Sequence, residues 1–240
     1  MLSVSVVVHK TPPEKLRRAL NSLLNSPVDI IYVVDNSPSE TLKTVSEIDP
    51  RIQYLHVPNN GYGAANNIAI KKAMEQDSDY HLVMNPDVWW NEESLSSLLK
   101  ALEEDPSIGL IAPQILNPDG SIQYSCRELP GPLSLIKNRL FPSRKTEHLQ
   151  PPVNQSFYLL GAFLLFRIEA LRDIGLFDER FFLYPEDIDI SRRMQKKWKV
   201  VYDPRVNVFH EHNRASAKSL RMFMIHVVNM VRYYRKWGLR

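Results

Sequence analysis

Carboxylates, glycines and an imidazole pair recur at the ends of apolar runs in this chain, and that placement invites chemistry. In HLVMNPDVWW (81–90), Val83 and Met84 suit a buried strand, whereas Pro86 cannot continue a hydrogen-bonded ladder. The chain must turn there, leaving Asp87 at the carboxyl end of the strand. VVDNS leaves Asp35 and Asn36 in the equivalent position after another apolar run. A carboxylate so placed can accept hydrogen bonds from a ribose hydroxyl or a base N–H; a turn or helix N-cap gives the same pattern. PNNGYGAANN (58–67) sets Gly61 and Gly63 before a helical stretch. Backbone N–H groups and a helix N-terminus there favour a phosphate, although the stretch matches neither GxGxxG nor the P-loop.

FLYPEDIDISRR (182–193) carries Glu186, Asp187 and Asp189. On a helix starting near Pro185, Asp189 pairs with Arg192 or Arg193, and Asp187 lies in the first turn, where the helix dipole favours a carboxylate. A solvated charged face is the plain alternative, but Phe177, Phe181, Phe182 and Tyr184 bracket the cluster and argue for a partly buried rim. FHEHNRAS (209–216) supplies His210 and His212 directly after an apolar strand. A histidine there is commonly structural. Joined with Asp87, His210 would make an oxygen-and-imidazole pair suited to Mn²⁺ or Mg²⁺, completed by phosphate oxygens and water.

The elements that must hold these residues alternate along the first half. LSVSVVVH (2–9) reads as a strand, and EKLRRALNSLL after Pro12-Pro13 reads as a helix with Leu16, Leu20, Leu23 and Leu24 on one face. DIIYVVDN (29–36) is a strand, Ser37-Pro38-Ser39-Glu40 a helix start before TLKTVSEI, and RIQYLHV (51–57) a strand. The helical AANNIAIKKAMEQ, the strand ending at Asn85-Pro86-Asp87 and a helix from near Asn91 through LSSLLKALEE follow. This alternation predicts parallel strands joined by right-handed crossovers, with ligands bound beyond the carboxyl ends. His9, Asp35, Asn59 and Asp87 all stand at such ends.

The second half is less periodic. IGLIAPQIL (108–116) reads as a strand and NPDG (117–120) as a turn; the Pro-, Lys- and Arg-rich 130–152 reads as a mobile excursion. SFYLLGAFLLFR (156–167) is apolar, with Gly161 marking a bulge or a close backbone approach. WKVVYD (198–203) and VNVFH (206–210) read as two strands. The tail has Leu220, Phe223, Met224, Val227, Val228, Val231 and Tyr234 at helical spacing, with Arg221, Arg232, Arg235, Lys236 and Arg240 between. Such a helix docks on its own domain or pairs with a second copy as a homodimer, or it lies on an anionic membrane surface.

Composition sets the outer bounds. The 240 residues, 44% hydrophobic and 24% charged, suit one sizeable core, and a net charge of +3 argues against a nucleic-acid partner. Cys126 is the single cysteine, which excludes an intrachain disulfide and fits a reducing cytoplasm. Met1 leads straight into a strand-like run with no basic leader, and no apolar stretch is long enough to span a bilayer.

Taken in order, SVSVVVH, VVDNS, NNGYGAANN, MNPDV, LLGAFLLFR, FDERFFLYPEDIDISRR and VFHEHNRAS resemble family 2 glycosyltransferases of the GT-A fold. The NPD form and the NxGYGxxxN-like loop look closest to the rhamnosyltransferase-like branch, and the likeness runs from about residue 3 to residue 220. It implies an α/β, Rossmann-like, mixed and mostly parallel sheet flanked by helices. The nucleotide-binding half would span about 1–115 and the acceptor-side half 116–215, with a C-terminal amphipathic helix at 216–240.

By resemblance, Asp35 contacts the nucleoside, and Asn60, Gly61, Gly63 and Asn67 form the loop beside the nucleotide and donor sugar. Gly161 and Ala162 floor the site. Asp87 and His210 hold Mn²⁺ or Mg²⁺ and, through it, the diphosphate. Asp187 is the catalytic base, with Glu186 and Arg192 beside it among the substrate-binding residues. Asn85 stands where the family's DxD element has its first aspartate, and His9 stands where many relatives have Thr or Ser; both are placed at the substrate.

The activity implied is metal-dependent, inverting transfer of a sugar such as rhamnose from a nucleotide-diphosphate donor to a saccharide or lipid-linked saccharide. It would serve cell-surface polysaccharide synthesis in the cytoplasm, or peripherally on the inner face of the membrane. A sugar-nucleotide-binding scaffold without activity, favoured by Asn85, and a sugar nucleotidyltransferase are the alternatives.

Overall fold

The computed structural model describes residues 1–91, 93–131, 157–211 and 220–238, so most of the predicted excursion, and His212, lie outside it. The βα alternation predicted for the first half is present. Strand β1 (Leu2–Val8) leads to α1 (Pro13–Leu24), β2 (Ile30–Asp35), β3 (Ile52–His56), α2 (Tyr62–Glu75), β4 (Tyr80–Met84) and β5 (Val88–Trp89). Helix α3 (Ser94–Glu104) and strands β6 (Ile108–Leu116), β7 (Ile122–Gln123) and β8 (Cys126–Glu128) follow. The remaining elements are β9 (Phe157–Leu159), β10 (Phe163–Arg167), α4 (Ile168–Ile174), α5 (Glu186–Met194), β11 (Lys199–His210) and α6 (Leu220–Trp237).

The main sheet runs β3-β2-β1-β4-β10-β6-β11-β5, with β7 paired to β6, while β8 and β9 form a separate ribbon. β1, β2, β3 and β4 are mutually parallel. β10 is inserted antiparallel between β4 and β6, so the sheet is mixed. Alternate residues of each strand feed opposite layers. Val4, Val6, Ile31, Val33, Leu82, Phe163 and Leu165 pack with Leu16, Leu20 and Leu23 of α1 and with Leu95, Leu98 and Leu102 of α3. Val7, Tyr32, Val34, Val83 and Phe166 pack with Ala65, Ala69 and Ile70 of α2, Leu171 of α4 and Ile190 of α5.

Three expectations need correction. The helix foreseen after Ser37 is only a 3-10 turn, Lys43–Glu47. The Ser37 N–H is bound by Asp35 Oδ1 and its hydroxyl accepts the Lys10 N–H, so the serine caps no helix. The two strands foreseen at 198–203 and 206–210 are one strand, β11, with a register shift between Asp203 and Asn207 that absorbs Pro204. The pair Val88–Trp89, read only as residues after a turn, forms β5 against the end of β11.

A buried polar chain crosses the middle of the sheet toward α2. Asn66 donates its Nδ2–H to Tyr62 O at 3.0 Å, which fixes the amide and turns Oδ1 toward Ser5 Oγ at 2.6 Å. The Ser5 hydroxyl must therefore donate to Asn66, leaving its lone pair to receive the His81 Nε2–H at 3.0 Å. His81 Nδ1 then accepts from Ser3 Oγ–H at 2.8 Å. The Ser3 hydroxyl also has Tyr80 O within 3.2 Å as an acceptor, and His81, fully buried and with its ionisation pushed down to about 3 by burial, is neutral.

Candidate active site

Register brings the predicted residues to one edge. Val8 pairs with Asp35 and Val6 with Met84, so the residues following β1, β2 and β4 emerge side by side. Phe163, the first residue of antiparallel β10, pairs with Met84, so Gly161 and Ala162 reach the same edge from the other direction. Ala162 O accepts the Asn85 N–H at 3.0 Å.

Asn85, Pro86 and Asp87 make the foreseen turn, closed by Val88 N–H on Asn85 O at 3.2 Å. Pairing of Val88 with His210 across β5 and β11 then carries the imidazole to the carboxylate. His210 Nε2 lies 3.2 Å from Asp87 Oδ1 and 3.5 Å from Asn85 Nδ2, while Nδ1 donates to Gln123 Oε1 at 2.5 Å. A doubly protonated ring would donate Nε2–H to Asp87 as an ion pair; with its proton on Nδ1 alone, it turns a lone pair toward that carboxylate and toward Asn85 Nδ2. A carboxylate oxygen, an imidazole nitrogen and an orienting partner behind the ring fit a divalent metal. Among the described residues no set of three His, Cys, Asp or Glu side chains converges, so further ligands would come from elsewhere. Glu211, next in sequence, is clamped by Lys15 at 3.1 Å and by Arg18 of α1, and its N–H binds Asp87 O at 3.0 Å.

Asp187, in the first turn of α5, is 7% exposed. Its Oδ2 accepts the Gly161 N–H at 3.1 Å and its Oδ1 the Ile188 N–H at 2.9 Å. A side chain at position 161 would press on Asp187, with Cβ 3.3 Å from the Asp187 Cβ, which is why glycine stands there. Burial raises the Asp187 pKa above the usual carboxylate range, while those two N–H groups and the Arg127 guanidinium pull it back. Glu186, 4% exposed, is raised by burial and by the adjacent Asp187, and its Oε2 is buried without a partner. Tyr62 donates its hydroxyl to Gly161 O at 2.9 Å. Burial, and the negative charges of Glu186, Asp187 and Asp87, drive that phenol's ionisation upward.

At the other end of the edge, Asp35 is fully enclosed, accepting Tyr54 O–H at 2.7 Å and Ser37 N–H at 2.8 Å. His9 donates Nδ1–H to Asn36 O at 2.9 Å, and the Asn36 side-chain oxygen is buried without a partner. Asn60 is exposed beside this end.

Not all of the expected residues line the cleft. Gly61, at φ +110°, opens α2 under the backbone of Phe182, whose carbonyl takes the Tyr62 N–H at 2.9 Å. A Cβ at Gly61 would lie 2.4 Å from that carbonyl oxygen, and one at Gly63 2.9 Å from Phe177 Cβ. These glycines admit the 177–182 segment against α2. Asn67 is buried, its Nδ2 donating to Phe177 O and its Oδ1 accepting the Phe177 N–H. Arg192 points to α6, donating to Tyr233 O–H at 3.1 Å and lying over Trp237. Arg193, four residues past Asp189, makes the ion pair at 2.9 Å.

Sequence reading missed Tyr54, Tyr62, Gln123 and Arg127. Tyr62 stands within the NxGYGxxxN-like loop, and Gln123 also carried a signal: the NPDG turn predicts a hairpin, and counting back from it pairs Gln123 with Ile115, on the strand beside β11.

Comparison with known proteins agrees with this geometry. The glycosyl transferase family 2 profile matches residues 3–175, ending before Glu186 and Asp187. An N-acetylglucosaminyl-diphospho-decaprenol L-rhamnosyltransferase of Mycobacterium tuberculosis is 31% identical over 236 residues, covering 89% of this chain and 77% of that one. Among solved structures, GalNAc-T7 with UDP, GalNAc and Mn²⁺ superposes with a TM-score of 0.66 at 18% identity, over 88% of this chain and 44% of that one. The mannosyltransferase PcManGT of Pyrobaculum calidifontis, in complex with GDP-Man and Mn²⁺, gives 0.65 at 16% identity, over 96% of this chain and 64% of that one. The chain thus spans less than two thirds of either structural neighbour, and the likeness to them is one of fold, GT-A. A profile that matches most of the sequence, a rhamnosyltransferase relative and a GT-A sheet with its polar residues gathered at one edge agree: this chain belongs to glycosyl transferase family 2.

Proposed function

We propose that the chain is an inverting, metal-dependent glycosyltransferase. It moves a sugar, rhamnose by analogy with the mycobacterial relative, from a nucleotide-diphosphate donor to a saccharide or lipid-linked saccharide in cell-surface polysaccharide synthesis. The observation that carries this reading is the setting of Asp187, a buried carboxylate held by Gly161, whose neighbour Ala162 is bonded to the Asn85–Asp87 turn.

The nucleoside is read at the β1–β2 end, by Asp35 once the Tyr54 hydroxyl is displaced, with His9, Asn36 and Asn60 at the rim. The diphosphate lies at Asp87, Asn85 and His210. A divalent ion held by Asp87 and His210 would offset the charge growing on the departing diphosphate; the Mn²⁺ in the names of both structural neighbours supports its use. The acceptor hydroxyl oxygen attacks the anomeric carbon as the bond to the diphosphate oxygen breaks, and Asp187 takes the hydroxyl proton. Burial, which raises the pKa of Asp187, makes it a stronger base than an exposed aspartate. One displacement with one base inverts the anomeric centre and needs no covalent sugar intermediate.

Membership in the family sets aside the nucleotidyltransferase alternative. A binding scaffold without activity stays as the second reading because Asn85 leaves the turn with one carboxylate. Incubation with UDP-, GDP- and dTDP-sugars, with and without Mn²⁺, separates the two. Release of nucleoside diphosphate that needs Mn²⁺, with a product of inverted configuration by NMR, supports the enzyme; tight binding with no turnover of any donor supports the scaffold.

We also place the enzyme peripherally on the inner face of the membrane. Among the described residues no helix is long and apolar enough to cross a membrane. On α6, however, Met224, Val228 and Val231 form an exposed apolar row beside Arg232 and Arg235, which supports contact with anionic lipid. Co-sedimentation with anionic vesicles that Val228→Glu does not weaken would count against this.

A further inference from the structure

Of the roles expected of the C-terminal helix, docking on its own domain is what the contacts show, and its polar side chains identify what is held. Asp189 is completely buried two residues after Asp187. It is neutralised from both sides: Arg193 Nε at 2.9 Å from its own helix, and Lys236 Nζ at 2.7 Å and Trp237 Nε1 at 2.8 Å from α6. Lys236 also reaches Asp178 at 2.8 Å. Arg232 donates to Arg180 O at 2.7 Å and Asn229 to Leu183 O at 3.1 Å. Phe181, Ile188, Met230 and Tyr233 close an apolar cluster beneath these contacts.

All of these bonds land on one stretch, 178–189. That stretch begins beside Phe177, clamped by Asn67, seats Phe182 on Gly61 and ends in the turn that carries Asp187. It therefore has α2 on one side and α6 on the other. The bonds from α2 run to Phe177, Glu179 and Phe182, upstream of the carboxylate. Asp187 itself takes the Gly161 N–H and Ser191 the Leu159 N–H, whereas the bonds that reach Asp189 from outside its own helix come from α6.

We propose that α6 is a brace for the catalytic segment, with Lys236 and Trp237 acting as positioning residues that set Asp187 through Asp189. The idea rests on Asp187 being the base, and it extends the working unit past residue 175, where the family profile ends. An expected appendage at 216–240 thereby becomes part of the site.

The Gly161 N–H reports the position of Asp187 without any substrate, because it donates to that carboxylate. Amide-resolved hydrogen exchange should be compared in the full chain, Lys236→Met, Trp237→Phe, and a control on the exposed face, Val228→Ser. The brace predicts that exchange at Gly161 and Ile188 quickens at least about tenfold in the first two variants, while Val6 in the central strand is unchanged. Lys236→Arg should restore protection, and Val228→Ser should have no effect.

Equal acceleration at Gly161 and Val6 would mean general loosening and would overturn the proposal; so would unchanged exchange at Gly161. Where Lys236→Met does not fold, Trp237→Phe, which removes the N–H together with the five-membered ring and keeps a six-membered ring near Arg192, decides alone. Because no turnover is read, the brace can fail while Asp187 remains the base. Conversely, transfer activity retained in Asp187→Asn would sink the catalytic assignment while leaving the exchange result standing.

Discussion

Acidification should weaken this fold through histidines, His81 above all, with the half-buried His226 shifted the same way by burial. The His81 imidazole lies fully buried between Ser3 and Ser5, with no charged partner among its hydrogen bonds to offset a second ring proton. Burial lowers its pKa from 6.5 to about 3. A depressed pKa contributes stability that is complete above the unfolded value and lost as pH falls toward the folded one. At about 1.4 kcal/mol per pH unit, the 1.5 units between 6.5 and 5 correspond to a loss of about 2 kcal/mol at pH 5.

Glu186 and Asp187 work in the opposite sense. Their raised pKa values mean that they gain stability as pH falls, so the wild-type curve alone mixes the two. Urea unfolding of wild type and His81→Gln at pH 7, 6 and 5 isolates the histidine. The gap between the two proteins should shift by about 2 kcal/mol against wild type from pH 7 to pH 5. Parallel curves would refute the buried neutral imidazole.

Two further substitutions test how the site is held. Gly61→Ala adds a Cβ 2.4 Å from Phe182 O at φ +110°, so it should cost about 3 kcal/mol and lower the melting temperature by roughly 6–12 °C; an unchanged melting curve would argue against the contact. Gln123→Ala frees the His210 ring, and calorimetric titration of Mn²⁺ with a nucleoside diphosphate should show affinity weakened about 10- to 100-fold, with the folded state intact.

The parts of the molecule that were legible in the sequence are those set by local pattern. Leucines at helical spacing in α1 and the apolar runs of β1, β2 and β4 fix elements, and parallel pairing of those runs places His9, Asp35 and Asp87 at one edge. Pro86 marks the turn because it cannot donate to a ladder. What was not legible depends on pairing between distant segments. No local pattern shows that β10 enters antiparallel beside β4, yet that insertion is what seats Gly161 against Asp187.

Spacing alone could not choose between Arg192 and Arg193 as the partner of Asp189, since positions three and four ahead both face it on a helix. The core decided: Arg193 also binds the carbonyls of Ile174, Gly175 and Leu176, and Arg192 is left to α6. The glycines at 61 and 63 did mark a close approach, but the atoms approaching are Phe182 and Phe177.

The most direct test of the account is Asp187→Asn, with donor affinity and sugar transfer measured on the same preparation. The substitution keeps the outline of the side chain and one of the two acceptors bound by the Gly161 and Ile188 N–H groups, while removing its ability to take a proton. Transfer should fall by at least about a hundredfold while the dissociation constant of the nucleotide-sugar with Mn²⁺ changes less than about threefold. Transfer that persists, or donor binding that falls as far as transfer does, would contradict the assignment of Asp187 as the base.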